Sequence, residues 1–443
     1  MLLKTNCVLM LMIAFICACN TPKGSTEIVL DSDCHEYTPD SNELFVDLSC
    51  SVREVTHCAS GSLYGITEDN PENIAELVAP LHPYSFVQPP FGTLKNQHPY
   101  GAASAVAQRI EPHTDARVMI LLADLLPVWP YRWPGKEAWL ELVEAAIDDK
   151  LASGLDNYYG YMIWNEPSET WDDDNGDFFS ECWLPTYELI RSKDPDANII
   201  GPGDAYFNQM RMTGFLQQCK ENNVVPDIMA WHELQGSARI TSHVTDYRAL
   251  ESSLEIDPLP ISINEYCHPV HENEGAPGPS AVFIAKFERN KIDGANISWW
   301  FTSLPGRLGS LLTAENQKGG GWWFYKWYGD MAGAMATVVP PNDLSDGLDG
   351  FASLDKKTKR ASICFGGNAT GTKDIVVNGI PSDFGNSVTV TVEYIPWENK
   401  DSPVAGPVVI SKTTYEVSAE MITVPVEITN PMYGYRVLIE PNQ

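Results

Sequence analysis

Between about Ser62 and Gly329, short apolar runs alternate with stretches in which apolar residues return every three or four positions. The short runs read as strands: Ser62–Ile66, Ser85–Gln88, Arg117–Ala123, Gly160–Trp164, Ile199–Gly201, Ile228–Trp231, Ile261–Asn264 and Asn296–Trp300. The periodic stretches read as helices with one buried face, as in Trp139, Leu142, Val143, Ala146 and Ile147, or Ile240, Val244, Tyr247, Leu250 and Leu254. Eight such units in succession predict an α/β fold, a (β/α)8 TIM barrel. An open doubly wound sheet is the alternative, and it is disfavoured because no glycine-rich phosphate loop follows the first run.

After about Met335 the period changes to two. Ser387-Val388-Thr389-Val390-Thr391-Val392 and Met421-Ile422-Thr423-Val424-Pro425-Val426 alternate between turn-forming residues, which predicts an accessory C-terminal β-sandwich. Glu43-Leu44-Phe45-Val46-Asp47-Leu48 also alternates but precedes the barrel, so it is expected to return across the chain and add a strand to that sandwich. The expected organisation is a signal segment over 1–19, an N-terminal segment over 20–60, the barrel over 61–333 and the sandwich over 334–443.

The first residues read as an address. Lys4 precedes an apolar run from Val8 to Ile16, followed by Cys17-Ala18-Cys19-Asn20 and the polar Thr21-Pro22-Lys23. This resembles a bacterial lipoprotein signal with Cys19 as the lipidated residue, ordinary signal-peptide cleavage being the alternative. Either route predicts export, to the outer membrane or cell surface as a lipoprotein, otherwise to the periplasm or medium. A lipid on Cys19 would be the membrane attachment, since no later stretch is apolar enough to span a bilayer. The formal charge of −30 repels nucleic acid and strongly anionic polymers, so a neutral poly- or oligosaccharide suits the surface better. Of the ten cysteines, Cys34, Cys50, Cys58, Cys182, Cys219, Cys267 and Cys364 would survive lipoprotein processing. None has the close spacing of a zinc site, and no metal or organic cofactor is expected. Buried free thiols are the favoured reading, with bridges Cys34 to Cys50 or Cys182 to Cys219 as alternatives.

The most specific chemical signal is Trp164-Asn165-Glu166-Pro167, at the end of the fourth strand run. These four residue types in a row are expected by chance in on the order of one chain in a thousand. Barrel active sites lie where strands end, which would put Glu166 in the mouth. A second carboxylate, Glu265, ends the seventh run in Ile261-Ser262-Ile263-Asn264-Glu265-Tyr266. Strands four and seven face each other across a barrel. Two carboxyls there can flank one glycosidic bond, one giving a proton to the leaving oxygen while the other attacks the anomeric carbon or activates water. A catalytically silent carbohydrate-binding barrel is the competing class, and an inverting hydrolase is a third.

Together the two motifs resemble the clan A retaining glycoside hydrolases, and the added sandwich is most similar to family 39 and its relatives, which include β-xylosidases and α-L-iduronidases. The resemblance implies Glu166 as acid/base, Asn165 as the residue bonding the sugar 2-hydroxyl and Glu265 as nucleophile. It also implies double displacement on a β-linked or equivalent equatorial bond, with carboxyls about 5–5.5 Å apart. It further places His232, in Trp231-His232-Glu233, near the nucleophile, and it places an aromatic face beside the sugar at strand eight, where Trp300 is the candidate and Trp299 packs toward the helices. Glu233 is a reserve third carboxylate in the mouth. The chain departs from the clan at strand two: many members have an arginine there, whereas Phe86-Val87-Gln88-Pro89-Pro90 offers Gln88, a hydrogen-bonding group without charge. Trp129, Tyr131 and Trp133, after strand three, are candidate platforms for distant sugars. Trp322, Trp323, Phe324, Tyr325 and Trp327 read as packing.

Overall fold

The computed structural model of the protein describes residues 34, 37–91, 100–298 and 305–442. Eight parallel strands close into a barrel in chain order: Gly61–Leu63, Ser85–Gln88, Arg117–Leu121, Tyr158–Met162, Ile199–Asp204, Ile228–Glu233, Ile261–Tyr266 and Gly294–Ile297. The ring shuts where Gly61 and Ser62 pair with Asn296 and Ile297. All eight strands arise from the apolar runs, but their ends move for physical reasons. Strand four stops at Met162: the Ile163 amide still reaches Ile200 O at 3.4 Å, and Trp164 then turns into buried aromatic packing as the chain leaves the barrel. Strands six and seven continue through the polar residues His232, Glu233 and Glu265, before which a hydrophobic pattern ends too early.

The helical stripes pack as their spacing predicts. In Lys136–Ser153 the buried residues are Trp139, Val143, Ala146 and Ile147, and in Ile240–Ser253 they include Ile240, Val244, Tyr247 and Leu250. Trp322, Phe324, Tyr325 and Trp327 are buried in Gly320–Gly329, as the packing reading requires. The helix Pro277–Arg289 has no polar face and is buried almost throughout, since it lies between the barrel and the second sheet.

That second sheet has nine strands in the spatial order Val408–Glu416, Ser387–Ile395, Gly434–Pro441, Arg360–Gly366, Asp349–Asp355, Ala334–Val339, Glu43–Glu54, Gly371–Asn378 and Ile422–Ile428. Val388, Val390 and Val392 lie near one end of this order and Val424 and Val426 at the other, yet all share one hydrophobic core. The ladder is therefore continuous but folds over itself into the two layers of a sandwich. Glu43–Glu54 is an interior strand of it, parallel to Gly371–Asn378 and antiparallel to Ala334–Val339.

Cys34 and Cys50 are joined in a disulfide, which corrects the free-thiol reading for this pair. Cys58, Cys182, Cys219, Cys267 and Cys364 are free and buried. Among the described residues no helix is long and apolar enough to cross a membrane. The signal segment and Cys19 lie outside the described residues, as do Trp299 and Trp300.

The sandwich also holds the barrel's mouth loops. Asp346 Oδ1 accepts hydrogen bonds from the Ser237 amide and hydroxyl, both at 2.7 Å, five residues beyond His232. The buried Lys286 Nζ donates to Ser237 O at 3.0 Å and to Ser345 O at 2.8 Å, which ties both loops to the helix between the layers.

Candidate active site

Glu166 caps the short helix Pro167–Thr170, whose first position is filled by a proline with no N–H to leave unpaired. Its backbone is left-handed, at φ 52° and ψ 50°, which costs a side-chain-bearing residue about 1–2 kcal/mol. The surroundings hold it there. Its amide donates to Gly203 O at 2.8 Å, and its carbonyl accepts from the amides of Glu169 and Thr170, each at 2.8 Å. Beneath it Trp164 makes edge contacts with Tyr131, Trp133, Trp139, Trp171 and Phe178, a rigid aromatic base.

Glu265 reaches the mouth through a bulge. Ser262 and Asn264 face the barrel interior, since the Ser262 hydroxyl donates to Asn264 Oδ1 at 2.7 Å and Asn264 Nδ2 contacts Met162 Sδ. Strict alternation would then turn Glu265 outward. Instead the register jumps from Trp231 opposite Ile263 to His232 opposite Glu265, skipping Asn264. Glu265 thereby points inward, and Tyr266 turns out against Phe283 and Phe287.

His232 joins the two carboxylates. Its Nδ1 stands 3.2 Å from Glu166 Oε1 and 3.8 Å from Glu265 Oε1. These contacts hold the two oxygens within about 7 Å of each other, close enough for the two carboxyls to flank one glycosidic bond. Burial pulls the imidazole toward its neutral form, but the charge of Glu265, the hydrogen bond and charge of Glu166 and the charge of Asp204 outweigh it. The His232 pKa is raised above its usual value as a result. The resemblance pairs this histidine with the nucleophile, whereas here the nearer carboxylate is Glu166.

Glu233, held in reserve from sequence, does not reach the mouth. It follows His232 by one residue and so takes the opposite face, where its Oε1 accepts from Trp231 Nε1 and contacts His243 Nδ1, both at 2.8 Å. It anchors the strand to the helix Ile240–Ser253. Two of the three platform candidates are likewise committed: Tyr131 donates to Asp124 at 3.3 Å and Trp133 packs on Trp139, Trp164 and Trp171. Trp129 remains half exposed.

Gln88 is fully buried at the end of strand two, and neither its Oε1 nor its Nε2 has a hydrogen-bond partner among the described residues. His232 Nε2 is in the same condition. Asn165 is buried beside Glu166, its carbonyl accepting from the Thr170 hydroxyl at 2.7 Å.

Two groups escaped the sequence reading. Asp124, fully buried just past strand three, accepts from the hydroxyls of Tyr64 at 2.7 Å and Tyr131. Asp204 ends strand five and is gripped by Arg211 Nε, 2.9 Å from both oxygens. Burial raises the Asp204 pKa, with Arg211 offsetting only part of the effect. The available signal was a lone carboxylate closing an apolar run, in Val118-Met119-Ile120-Leu121-Leu122-Ala123-Asp124 and in Ile199-Ile200-Gly201-Pro202-Gly203-Asp204. Among the described residues no group of three or more His, Cys, Asp or Glu is placed to hold a metal ion.

Compared with solved structures, the chain aligns with N2152 from Neocallimastix frontalis at 47% identity and a TM-score of 0.89, over 90% of this chain and 99% of that one. The two belong to one family. The fold of this family is also that of a GH39 enzyme from Xanthomonas axonopodis pv. citri, at 13% identity and TM-score 0.64 over 92% and 98% of the two chains. A β-xylosidase from Caulobacter crescentus shares it at 14% and 0.61, over 91% and 100%. Among curated proteins, the chain is 25% identical to a 3-O-β-L-arabinopyranosyl-α-L-arabinofuranosidase of Bifidobacterium pseudocatenulatum and 26% identical to a 3-O-α-D-galactosyl-α-L-arabinofuranosidase of Bifidobacterium longum subsp. longum. Each match takes 90% of this chain, which spans about half the length of these relatives, 47% and 41%. No family profile matches the chain. The N2152 family thus has a barrel with a sandwich like that of the family 39 enzyme.

Proposed function

We propose that the protein is a retaining glycoside hydrolase in which Glu166 is the acid/base and Glu265 the nucleophile. The observation that carries this reading is the meeting of two buried carboxylates, from barrel strands four and seven, on one imidazole nitrogen. Glu265 attacks the anomeric carbon while Glu166 gives its proton to the leaving oxygen, which yields a glycosyl ester on Glu265 and a free alcohol. Once esterified, Glu265 has lost its charge. Glu166, now an anion facing His232, takes a proton from water as that water attacks the anomeric carbon and breaks its bond to the Glu265 oxygen, which restores the free Glu265 carboxylate. Gln88 and His232 Nε2 are buried polar groups that sugar hydroxyls would satisfy.

For the substrate we favour an α-L-arabinofuranosyl bond whose sugar carries a further residue at O3, because the names of both curated relatives share that unit. A β-xyloside is the second reading, favoured by the fold shared with a β-xylosidase. The test pairs a panel of arabinofuranosides, O3-substituted arabinofuranosides and xylosides with NMR of the first product anomer. Retained configuration is expected, with Glu265→Gln abolishing turnover but not binding, and Glu166→Gln doing the same wherever the leaving group needs protonation. Inverted product would overturn the mechanism. Binding without turnover on every substrate would favour the silent carbohydrate-binding barrel.

We further propose export directed by residues 1–19 with lipid attachment at Cys19. Metabolic labelling with a radioactive fatty acid should mark the wild type and not Cys19→Ala, and equal labelling would refute it.

A further inference from the structure

We propose that Thr170 is a positioning residue for Glu166, a role that rests on Glu166 being the acid/base. Glu166 sits in a left-handed conformation that glycine adopts freely and glutamate does not, so its carboxyl is aimed correctly only while neighbours hold the backbone. One hydroxyl is central to that hold. Thr170 Oγ1 accepts the indole N–H of Trp164 at 3.0 Å. Its single proton is shared between two carbonyls, those of Asn165 at 2.7 Å and Glu166 at 3.0 Å. The Thr170 amide adds a further bond to the same Glu166 carbonyl at 2.8 Å.

Thr170 therefore touches each of the three residues that precede Pro167 in the motif. It links the aromatic base, through a buried Trp164, to the backbone that aims the acid. Nothing in this network acts on substrate directly. Its effect is on where the Glu166 carboxyl stands, and an error of about 1 Å in a catalytic group is enough to cost roughly 100-fold in rate.

Thr170→Val keeps the shape and removes every side-chain hydrogen bond; Thr170→Ser keeps the hydroxyl. The readout is kcat/KM on two aryl glycosides of the same sugar, one with a leaving group that needs protonation and one, a dinitrophenolate, that departs without it. Misplacing an acid penalises the first substrate only, whereas general loosening of the fold penalises both. Thr170→Val is expected to lose roughly 10- to 100-fold on the poor leaving group, with the dinitrophenyl substrate changed less than about 3-fold and Thr170→Ser near wild type. If Thr170→Val does not fold, Thr170→Ala is read with the same pair. Equal losses on both substrates, or no loss on either, overturn the proposal. Glu166→Gln is run alongside: if it shows the leaving-group pattern and the Thr170 variants do not, only this inference fails. If Glu166→Gln lacks the pattern, the acid/base assignment fails and takes the inference with it.

Discussion

Replacing His232 with asparagine leaves a hydrogen-bond donor beside Glu166 and removes a ring whose cationic form the two carboxylates favour. The Nδ1 contact with Glu166 is 3.2 Å. A hydrogen bond to a charged partner contributes about 1.5–3 kcal/mol, against about 1 kcal/mol for a neutral one. The difference, about 0.5–2 kcal/mol, corresponds to a roughly 2- to 30-fold loss of kcat/KM at about 1.4 kcal/mol per decade.

Stability gives an independent readout. Burial disfavours the His232 cation, but Glu265, Glu166 and Asp204 together raise its pKa in the folded protein. The stabilisation is therefore complete below the unfolded value of about 6.5 and is lost as pH rises through the raised folded value. Wild type should lose stability relative to His232→Asn over that window. The assay is kcat/KM and thermal unfolding for both proteins from about pH 4 to 9. A pH-independent stability difference would refute the two carboxylates as the cause of the raised His232 pKa.

Other changes probe the supports of the site. Gly203 has φ 77°, and a Cβ there would meet Met162 Cε at 2.3 Å and Trp164 O at 2.9 Å. Gly203→Ala should therefore cost about 1–2 kcal/mol in denaturant unfolding and, by shifting the carbonyl that holds the Glu166 amide, lower kcat. Asp346→Ala removes both bonds to Ser237 and should cost about 1–3 kcal/mol in the same measurement, with a raised KM because the loop beyond His232 is released; an unchanged KM would show that the clasp does not shape the mouth. Trp129→Ala, at the half-exposed ring, should weaken oligosaccharides by roughly 2- to 12-fold, as expected for an aromatic contact of about 0.5–1.5 kcal/mol, and leave monosaccharide glycosides unchanged.

Much of this protein is written in local pattern. Eight apolar runs separated by helical stripes are enough for the barrel, because each strand and each helix face answers to its own neighbours in sequence. Trp164-Asn165-Glu166-Pro167 marks one carboxylate by composition alone. The alternation in Glu43–Leu48 likewise signals a strand, although its place inside the sandwich depends on pairing with Gly371–Asn378, more than 300 residues away.

What only the tertiary structure decided are the relations between distant segments. Whether Glu265 faces in or out depends on the skipped Asn264, a register set by hydrogen bonds to the neighbouring strand and invisible to a period-two reading. The same register sends His232 into the mouth and Glu233 to the helix side, so adjacent residues with similar sequence claims receive opposite fates. Asp124 looks like a strand end until the Tyr64 hydroxyl, 60 residues earlier in the chain, satisfies it. Residue type and spacing express what a segment prefers to bury, but the partner of a buried charge is chosen by the closed barrel, where strands far apart in sequence share one end.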